Sequence, residues 1–310
     1  ARILILDEPT AVLTPQESES LFATLGQMVA QGLSIIFISH KLGEVLRVSN
    51  RVAVLRGGKL VAEANTADVT QAQLAQWMVG HGVDATERRP TGTRGNAVCI
   101  LDRVCTARGA RGGREYLHEV SLTLNAGEIV AIAGVSGNGQ AALANLLCGT
   151  LATESGRVTL LGEALPVDPQ RLVQRGVARI PEDRHAIGVV GDLPVWENAS
   201  SERLSTPAFS RWGWIRAARA HEHAATIVKR FDVRGGGLNT AARSLSGGNM
   251  QKLILGRALT PPAGAAPALL IVAHQPTWGL DIGAVAFVQD QLIAARDAGA
   301  AVLLISDDLD

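Results

Sequence analysis

Asp7 and Glu8 close a short aliphatic run, Ile3-Leu4-Ile5-Leu6, and lead into Pro9 and Thr10. An apolar run of this length ending in two acids reads as a buried strand whose carboxylates stand at the carboxyl edge of a parallel sheet. Charges at such a place are costly unless they hold a cation, so an Asp aimed at Mg²⁺ and a Glu aimed at water is a sensible use of the pair. The pair alone is equally well explained as a helix start, because acids before Pro-Thr serve as caps. His40 weights the chemical reading. It ends the next apolar run, Ile35-Ile36-Phe37-Ile38-Ser39, at a place from which an imidazole can contact a γ-phosphate.

The pattern occurs twice. Leu270-Ile271-Val272-Ala273 runs through His274 and Gln275 to Pro276 and Thr277, and Val302-Leu303-Leu304-Ile305 runs to Ser306 and Asp307. An offset of 267 residues (270 − 3) superposes the two stretches without a gap, pairing Pro9 with Pro276, Gly32 with Gly299 and Ser39 with Ser306. The same offset pairs Asp7 with His274, Glu8 with Gln275 and His40 with Asp307. A duplication in which one copy keeps three chemical groups and the other loses all three predicts one working nucleotide site and one retired site.

Two further segments bear on phosphate. Gly134-Val135-Ser136-Gly137-Asn138-Gly139-Gln140-Ala141 follows an apolar run at 129–133 and precedes a predicted helix at 142–147. Strand, glycine loop and helix stand in the order of a phosphate-binding loop. Backbone N–H groups and the helix dipole would favour an anion there. Gln140 and Ala141 replace the Lys and Ser/Thr of G-x-x-x-x-G-K-[ST], so the cationic contact and the hydroxyl ligand for Mg²⁺ are gone. Weak or non-hydrolysed nucleotide binding is expected, with a ligand-free turn as the alternative. Leu245-Ser246-Gly247-Gly248-Asn249 opens a predicted helix at 250–259. Its cap hydroxyl and glycine amides form a positive helix end suited to a γ-phosphate.

Elements positioning these groups follow from pattern. Residues 1–46 predict strand, helix (about 17–31) and strand, as in a βαβ unit. A hairpin over 51–63 and a helix capped by Thr70 and Gln73 follow. Residues 81–96, polar and rich in Gly, Arg and Thr, read as a linker. The second domain begins near Ala97 with strands at 98–104 and 120–124. Residues 194–231 read as mainly helical, most clearly at 216–230, and the end repeats strand, helix, strand. His118, His185, His221 and His223 form no ligand set and read as solvated surface. Trp196, Trp212 and Trp214 read as packing residues, in a stretch that is also a candidate for partner contact.

At 310 residues the chain holds about two domains. With 29 basic and 29 acidic residues, a general electrostatic grip on nucleic acid is not suggested. Cys99, Cys105 and Cys148 have no metal-ligand spacing and suit a reducing compartment. No apolar run approaches a membrane span, so membrane association is expected through a partner. If the first copy began where the second does, near Val98, about 170 residues would precede Ala1. The chain reads as a fragment.

In order and wording these motifs resemble ATP-binding cassette ATPases, and more narrowly the double-cassette subunits of bacterial monosaccharide and nucleoside importers. Ile180-Pro181-Glu182-Asp183-Arg184-His185 and Gln275-Pro276-Thr277 with Gly279-Leu280-Asp281 resemble the second cassette of the nucleoside branch. The resemblance implies an α/β, P-loop NTPase-like fold: cassettes with a parallel core sheet, an antiparallel β subdomain and a helical subdomain. The first cassette would be truncated, with its C-terminal part at 1–80, a linker at 81–96 and a degenerate second cassette at 97–310. It further implies ATP and Mg²⁺ as cofactors, with head-to-tail cassettes sharing each nucleotide. Asp7 would serve the metal and Glu8 and His40 catalysis. Ser246, Gly247 and Gly248 would be supplied from the second cassette, and Gly134, Gly137, Gly139 and Gln140 would form the retired phosphate loop. Glu182 stands about where a cassette has its Q-loop glutamine, and His274 and Asp307 leave nothing to bind Mg²⁺ in the usual way.

Expected partners are transmembrane permease subunits and, indirectly, a periplasmic or lipoprotein substrate-binding protein, with no nucleic acid. The expected place is the cytoplasmic face of the plasma membrane. The alternatives are a soluble double-cassette protein acting on ribosomes or nucleic acid, and an inactive gene fragment.

Overall fold

The computed structural model describes residues 2–10, 13–80, 94–108, 115–134 and 137–307. Most of the expected linker, at 81–93, lies outside them, as do Val135 and Ser136 of the glycine loop. The chain divides into two compact units, Ala1–Glu87 with Gly279–Phe287, and Arg88–Trp278 with Val288–Asp310.

In the first unit β1 (Ile3–Asp7) and β2 (Ser34–Ile38) are parallel, with α1 (Pro15–Ala30) between them in sequence. Thr14 caps α1 in a reciprocal box with Glu17, which sets its start two residues earlier than the apolar period predicts. One face of the strand pair turns Phe37 toward α1, where its ring meets Phe22 edge-on at 6.0 Å. The other leaves Ile3, Ile5, Ile36 and Ile38 exposed. Then come α2 (Leu42–Val48), the antiparallel pair β3 (Arg51–Arg56) and β4 (Lys59–Asn65), and α3 (Gln71–Val79). Thr70 and Gln73 form the expected capping box of α3. Leu42, Val54 and Leu74 centre the small core of this unit.

In the second unit β5 (Ala97–Cys105) and β6 (Val120–Asn125) pair antiparallel. β7 (Ile129–Ala133) leads through the glycine loop into α4 (Gln140–Leu147). β8 (Ser155–Leu160) and β9 (Glu163–Ala164) complete an antiparallel sheet of order β6-β5-β8-β9. α5 (Pro169–Gln174) precedes β10 (Val177–Ile180). α6 (Val195–Ser200), a hairpin of β11 (Ser210–Arg211) and β12 (Trp214–Ile215), and α7 (Ala217–Arg230) form the helical part. α8 (Gly247–Leu259), β13 (Leu270–His274), α9 (Ile282–Asp297), whose residues up to Phe287 belong to the first unit, and β14 (Ala301–Ser306) end the chain. The parallel sheet has the order β10-β13-β14-β7. Leu147, Val272 and Leu303 lie in the core shared by the two sheets and α4.

The internal repeat is a structural one. Ile3 pairs with Ser34 and Leu270 with Ala301, so the parallel register recurs at the offset read from the sequence. α1 and α9 recur with the same spacing.

The stretch 194–231 is mainly helical, as expected, with the Trp212-Gly213 turn reversing the chain between α6 and α7. Two expectations need correction. His221 and His223 are half-buried rather than solvated: the His221 ring stacks on Trp196 at 4.4 Å and His223 lies 5.1 Å from the Phe209 ring. Burial, and then the charge of Arg203, hold the His223 imidazole below its usual pKa. Trp196 packs, whereas Trp212 and Trp214 are 88% and 81% exposed. His118 and His185 are exposed, as expected.

Candidate nucleotide sites

In the first unit the chain leaves β1 through Glu8 with a left-handed backbone, φ 45°. The turn is held by the Glu8 N–H, which donates to Ile38 O at 2.9 Å. It carries the Glu8 carboxylate to His40, whose Nδ1 lies 2.7 Å from Glu8 Oε1. A left-handed non-glycine residue costs about 1–2 kcal/mol and persists where surrounding contacts impose it. Those contacts are present. Thr10, 1% exposed, donates its hydroxyl to Glu44 Oε2 at 2.6 Å, and Lys41 Nζ donates to Thr10 O at 3.4 Å. The segments after Glu8 and after His40 are thus tied to the start of α2, which fixes the two side chains against each other.

Asp7, Glu8 and His40 stand together at the carboxyl end of the parallel pair. Among the described residues no cluster of three or more His, Cys, Asp or Glu could hold a metal ion. One strand-end carboxylate suits Mg²⁺ that is otherwise ligated by phosphate oxygens and water, so the donor set fits a metal–nucleotide complex.

The second copy keeps the backbone and changes the chemistry. Gln275 has φ 48°, and its N–H donates to Ile305 O at 2.8 Å, reproducing the Glu8 turn. His274 and Gln275 are 8% and 7% exposed. His274 Nε2 lies 3.6 Å from Glu182 Oε2, an ion pair when the imidazole is protonated. Asp307 N–H donates to Gln275 Oε1 at 3.3 Å. Burial raises the Asp307 carboxyl above its ordinary pKa, with His274 and Gln275 opposing. A basic ring where the first copy has Asp7, already facing a carboxylate, does not fit Mg²⁺. The Glu182–His274 contact escaped sequence reasoning, since nothing local marks two side chains so far apart in the chain as partners.

Gly137 and Gly139 are left-handed (φ 88° and 97°) at the start of α4. A Cβ on Gly139 would lie 2.8 Å from Tyr116 O, so position 139 admits only glycine. Gln140 is buried, and its Oε1 accepts from the Asn138 N–H at 2.8 Å. The side chain standing where a phosphate-binding lysine would be is therefore folded onto its own loop and occupies one of the amides a phosphate would use. A cavity of about 120 Å³ lies beside α4, with Asn145, Arg179, Glu182 and His274 on its wall. Ligand pockets start at about 300 Å³, so this one suits water rather than a nucleoside.

Ser246 caps α8 with extended backbone, its Oγ accepting from Asn249 N at 3.4 Å and from Asn249 Nδ2 at 2.8 Å. The helix consequently starts at Gly247, three residues before the apolar pattern announces it. Two neighbours of this helix end were missed from sequence. Arg184 donates from Nη1 to Trp278 O at 2.6 Å, and a Cβ on Gly247 would meet its Nη2 at 3.1 Å. Deeper in α8, Arg257, 6% exposed, donates to Gly188 O at 2.8 Å and lies 3.3 Å from Glu202 Oε1. Arg179 Nε donates to the same Glu202 oxygen at 2.9 Å. Burial raises the Glu202 carboxyl, but Arg257 and Arg179 outweigh it and hold the group below its ordinary value.

This network locks α8 to β10 and to the segment after α6. Glu202→Gln is expected to cost about 3 kcal/mol, because it leaves the buried Arg257 guanidinium, and the half-buried Arg179 beside it, without their counter-charge. Urea melts check the value. With the folded pKa depressed, the stabilisation is present above the ordinary carboxylate value and is lost as pH falls through the folded one.

A parallel sheet entered through a glycine loop, a serine-capped helix end and a strand-terminal turn at two copies define a nucleotide-binding cassette. The chain matches the ABC transporter family over residues 117–264. It is 42% identical over 311 residues to the glucose import ATP-binding protein TsgD13 of Haloferax volcanii, covering 99% of this chain and 55% of that protein. It is 41% identical to the guanosine import ATP-binding protein NupO of Bacillus subtilis, covering 100% of this chain and 60% of that one. The ribose import ATP-binding protein RbsA of a Jannaschia species is 33% identical, covering 100% and 57%. The chain thus spans little more than half the length of these relatives.

Among solved structures, a nucleotide-free ATP-binding cassette from an ABC transporter shares the fold with a TM-score of 0.54 at 22% identity, over 69% of this chain and 83% of that one. The cassette MJ0796 in a post-hydrolysis state bound to ADP and Pi gives 0.54 at 22%, over 68% and 88%. The chain belongs to the ABC transporter ATP-binding family.

Proposed function

We propose that this chain is the ATP-binding, energy-coupling part of an importer for simple sugars or nucleosides, with one hydrolytic and one retired ATP site. The observation that carries the substrate class is that relatives aligned along essentially the whole chain are named for glucose, guanosine and ribose import. The asymmetry is supported by the contrast between the Glu8–His40 pair and the closed Glu182–His274 and Gln140–Asn138 contacts. Residues 1–80 are the C-terminal part of a first cassette and 97–310 the second.

At the hydrolytic site Asp7 would hold the Mg²⁺ of the bound nucleotide and Glu8 orients the attacking water. His40 fixes the Glu8 carboxylate and meets the γ-phosphate. The helix end at Ser246, Gly247 and Gly248 presents its hydroxyl and amides to a nucleotide held on the other cassette. Mg²⁺ held there would offset the charge on the phosphate oxygens. Closure and reopening of the cassettes drive permease subunits, fed by a substrate-binding protein, at the inner face of the plasma membrane. No helix among the described residues is long and apolar enough to cross a membrane.

The test is substrate-stimulated phosphate release in proteoliposomes holding the full-length subunit, its permease and its binding protein. One sugar or nucleoside class is expected to stimulate it, and stimulation by neither contradicts the proposal. The 310-residue chain alone is expected to show no turnover, because its sequence holds no G-x-x-x-x-G-K-[ST] loop. Turnover comparable to an intact cassette, with contamination excluded, would contradict that.

A further inference from the structure

The hairpin of β11 and β12 presents apolar surface that the second unit does not use. Its two-residue connection, Trp212-Gly213, has both residues left-handed, φ 53° and 82°, the primed-turn geometry that matches strand twist. Asn is the favoured first residue of such a turn, and a tryptophan there is strained. The strain is not offset by packing. Trp212 and Trp214 are 88% and 81% exposed, and Ile215 beside them is 55% exposed.

The base of the hairpin is firm. Phe209, 2% exposed, anchors it, the Arg216 N–H donates to Phe209 O at 2.8 Å, and Arg216 Nη1 donates to Pro207 O at 3.3 Å. A rigid stem thus carries a convex aromatic tip. The charge along this segment has one sign. Arg211, Arg216 and Arg219 flank the tryptophans, the Arg211 guanidinium lies 4.9 Å from the Trp212 ring centre, and no Asp or Glu occurs between Arg203 and His221.

We propose that this tip inserts into the headgroup region of an anionic phospholipid bilayer. The inference rests on the reading of the chain as a subunit working at a membrane face. Indole has an apolar body and one N–H, the chemistry that concentrates at membrane–water interfaces. Adjacent arginines complement anionic headgroups. A docking pocket on a protein partner would be the other source of burial, but the run of arginines with no acid in the same segment, and the exposed hairpin tip, favour the bilayer.

The experiment is cosedimentation of the chain with vesicles of phosphatidylcholine plus phosphatidylglycerol, against phosphatidylcholine alone, with brominated acyl chains as quenchers of tryptophan fluorescence. Partition into the anionic vesicles with quenching is expected. The double change Trp212→Ala with Trp214→Ala should lower the partition coefficient at least about tenfold. Arg211→Gln with Arg219→Gln should lower it about thirtyfold, while circular dichroism stays unchanged.

No partition by the unmodified chain, or partition indifferent to the tryptophans, overturns the proposal. So does a tryptophan pair that leaves vesicle binding intact and abolishes copurification with the permease, which would make the tip a protein-docking element. Failure to bind vesicles while the full-length subunit keeps substrate-stimulated phosphate release would sink the membrane tip and leave the importer reading standing.

Discussion

Glu8→Gln, introduced into the full-length, permease-bound subunit, is expected to lower ATP turnover by about two to four orders of magnitude with ATP binding retained. Glutamine is nearly isosteric, and its side-chain oxygen can still meet His40 across the 2.7 Å contact, so the turn at φ 45° should survive. What disappears is the carboxylate proposed to polarise water. Phosphate release and equilibrium nucleotide binding, measured on one preparation, separate the two effects. Turnover within about tenfold of the unmodified subunit would remove Glu8 from the water-orienting role, since general-base catalysis contributes at least about a hundredfold.

Ser246→Arg is expected to do comparable damage for a different reason. It places a long side chain over the amides of Gly247 and Gly248 at the start of α8. It also removes the Oγ that caps the helix, costing about 1 kcal/mol of stability. Ser246→Asp isolates the phosphate effect, because Asp is an equally good cap yet repels an anion. Thermal unfolding should stay near the parent for Ser246→Asp while turnover falls. Full turnover by Ser246→Asp would mean that this helix end faces no phosphate.

Local and periodic features were legible before any coordinates. The strands at 3–7 and 34–38 and their copies at 270–274 and 301–306 follow from aliphatic runs, and the constant offset gave the repeated register. The Thr70–Gln73 box could be read because a capping pattern is contained in four residues. Helix starts were placed late at α1, α4 and α8, because apolar periodicity begins only where the helix meets the core, while the cap that starts it is polar or glycine. The glycine loop gave the anion-binding frame, but not that Gln140 folds back onto Asn138. Composition cannot report which donor a buried amide takes.

Long-range polar pairing was hidden altogether. Glu182 with His274, and Arg257 with Glu202 and Arg179, join segments that only the finished fold brings together. The Trp212 and Trp214 side chains were misjudged because large aromatics are usually packed, and the Trp-Gly turn that expels them does not resemble the usual Asn-Gly hairpin signal. His221 and His223 were misjudged in the opposite sense. Their spacing on α7 excludes a shared ligand, but it does not exclude separate aromatic contacts with Trp196 and Phe209.

Inequality of the two copies is most directly tested by Gln275→Ala beside Glu8→Gln. Both positions have the same backbone turn, but Gln275 is buried and hydrogen-bonded to Asp307 and carries no carboxylate. In steady-state ATP hydrolysis by the full-length subunit with its permease, Gln275→Ala should change turnover by less than about threefold, while Glu8→Gln removes at least about a hundredfold. A loss on Gln275→Ala as deep as that on Glu8→Gln would show that the second copy is catalytic and contradict the asymmetric account.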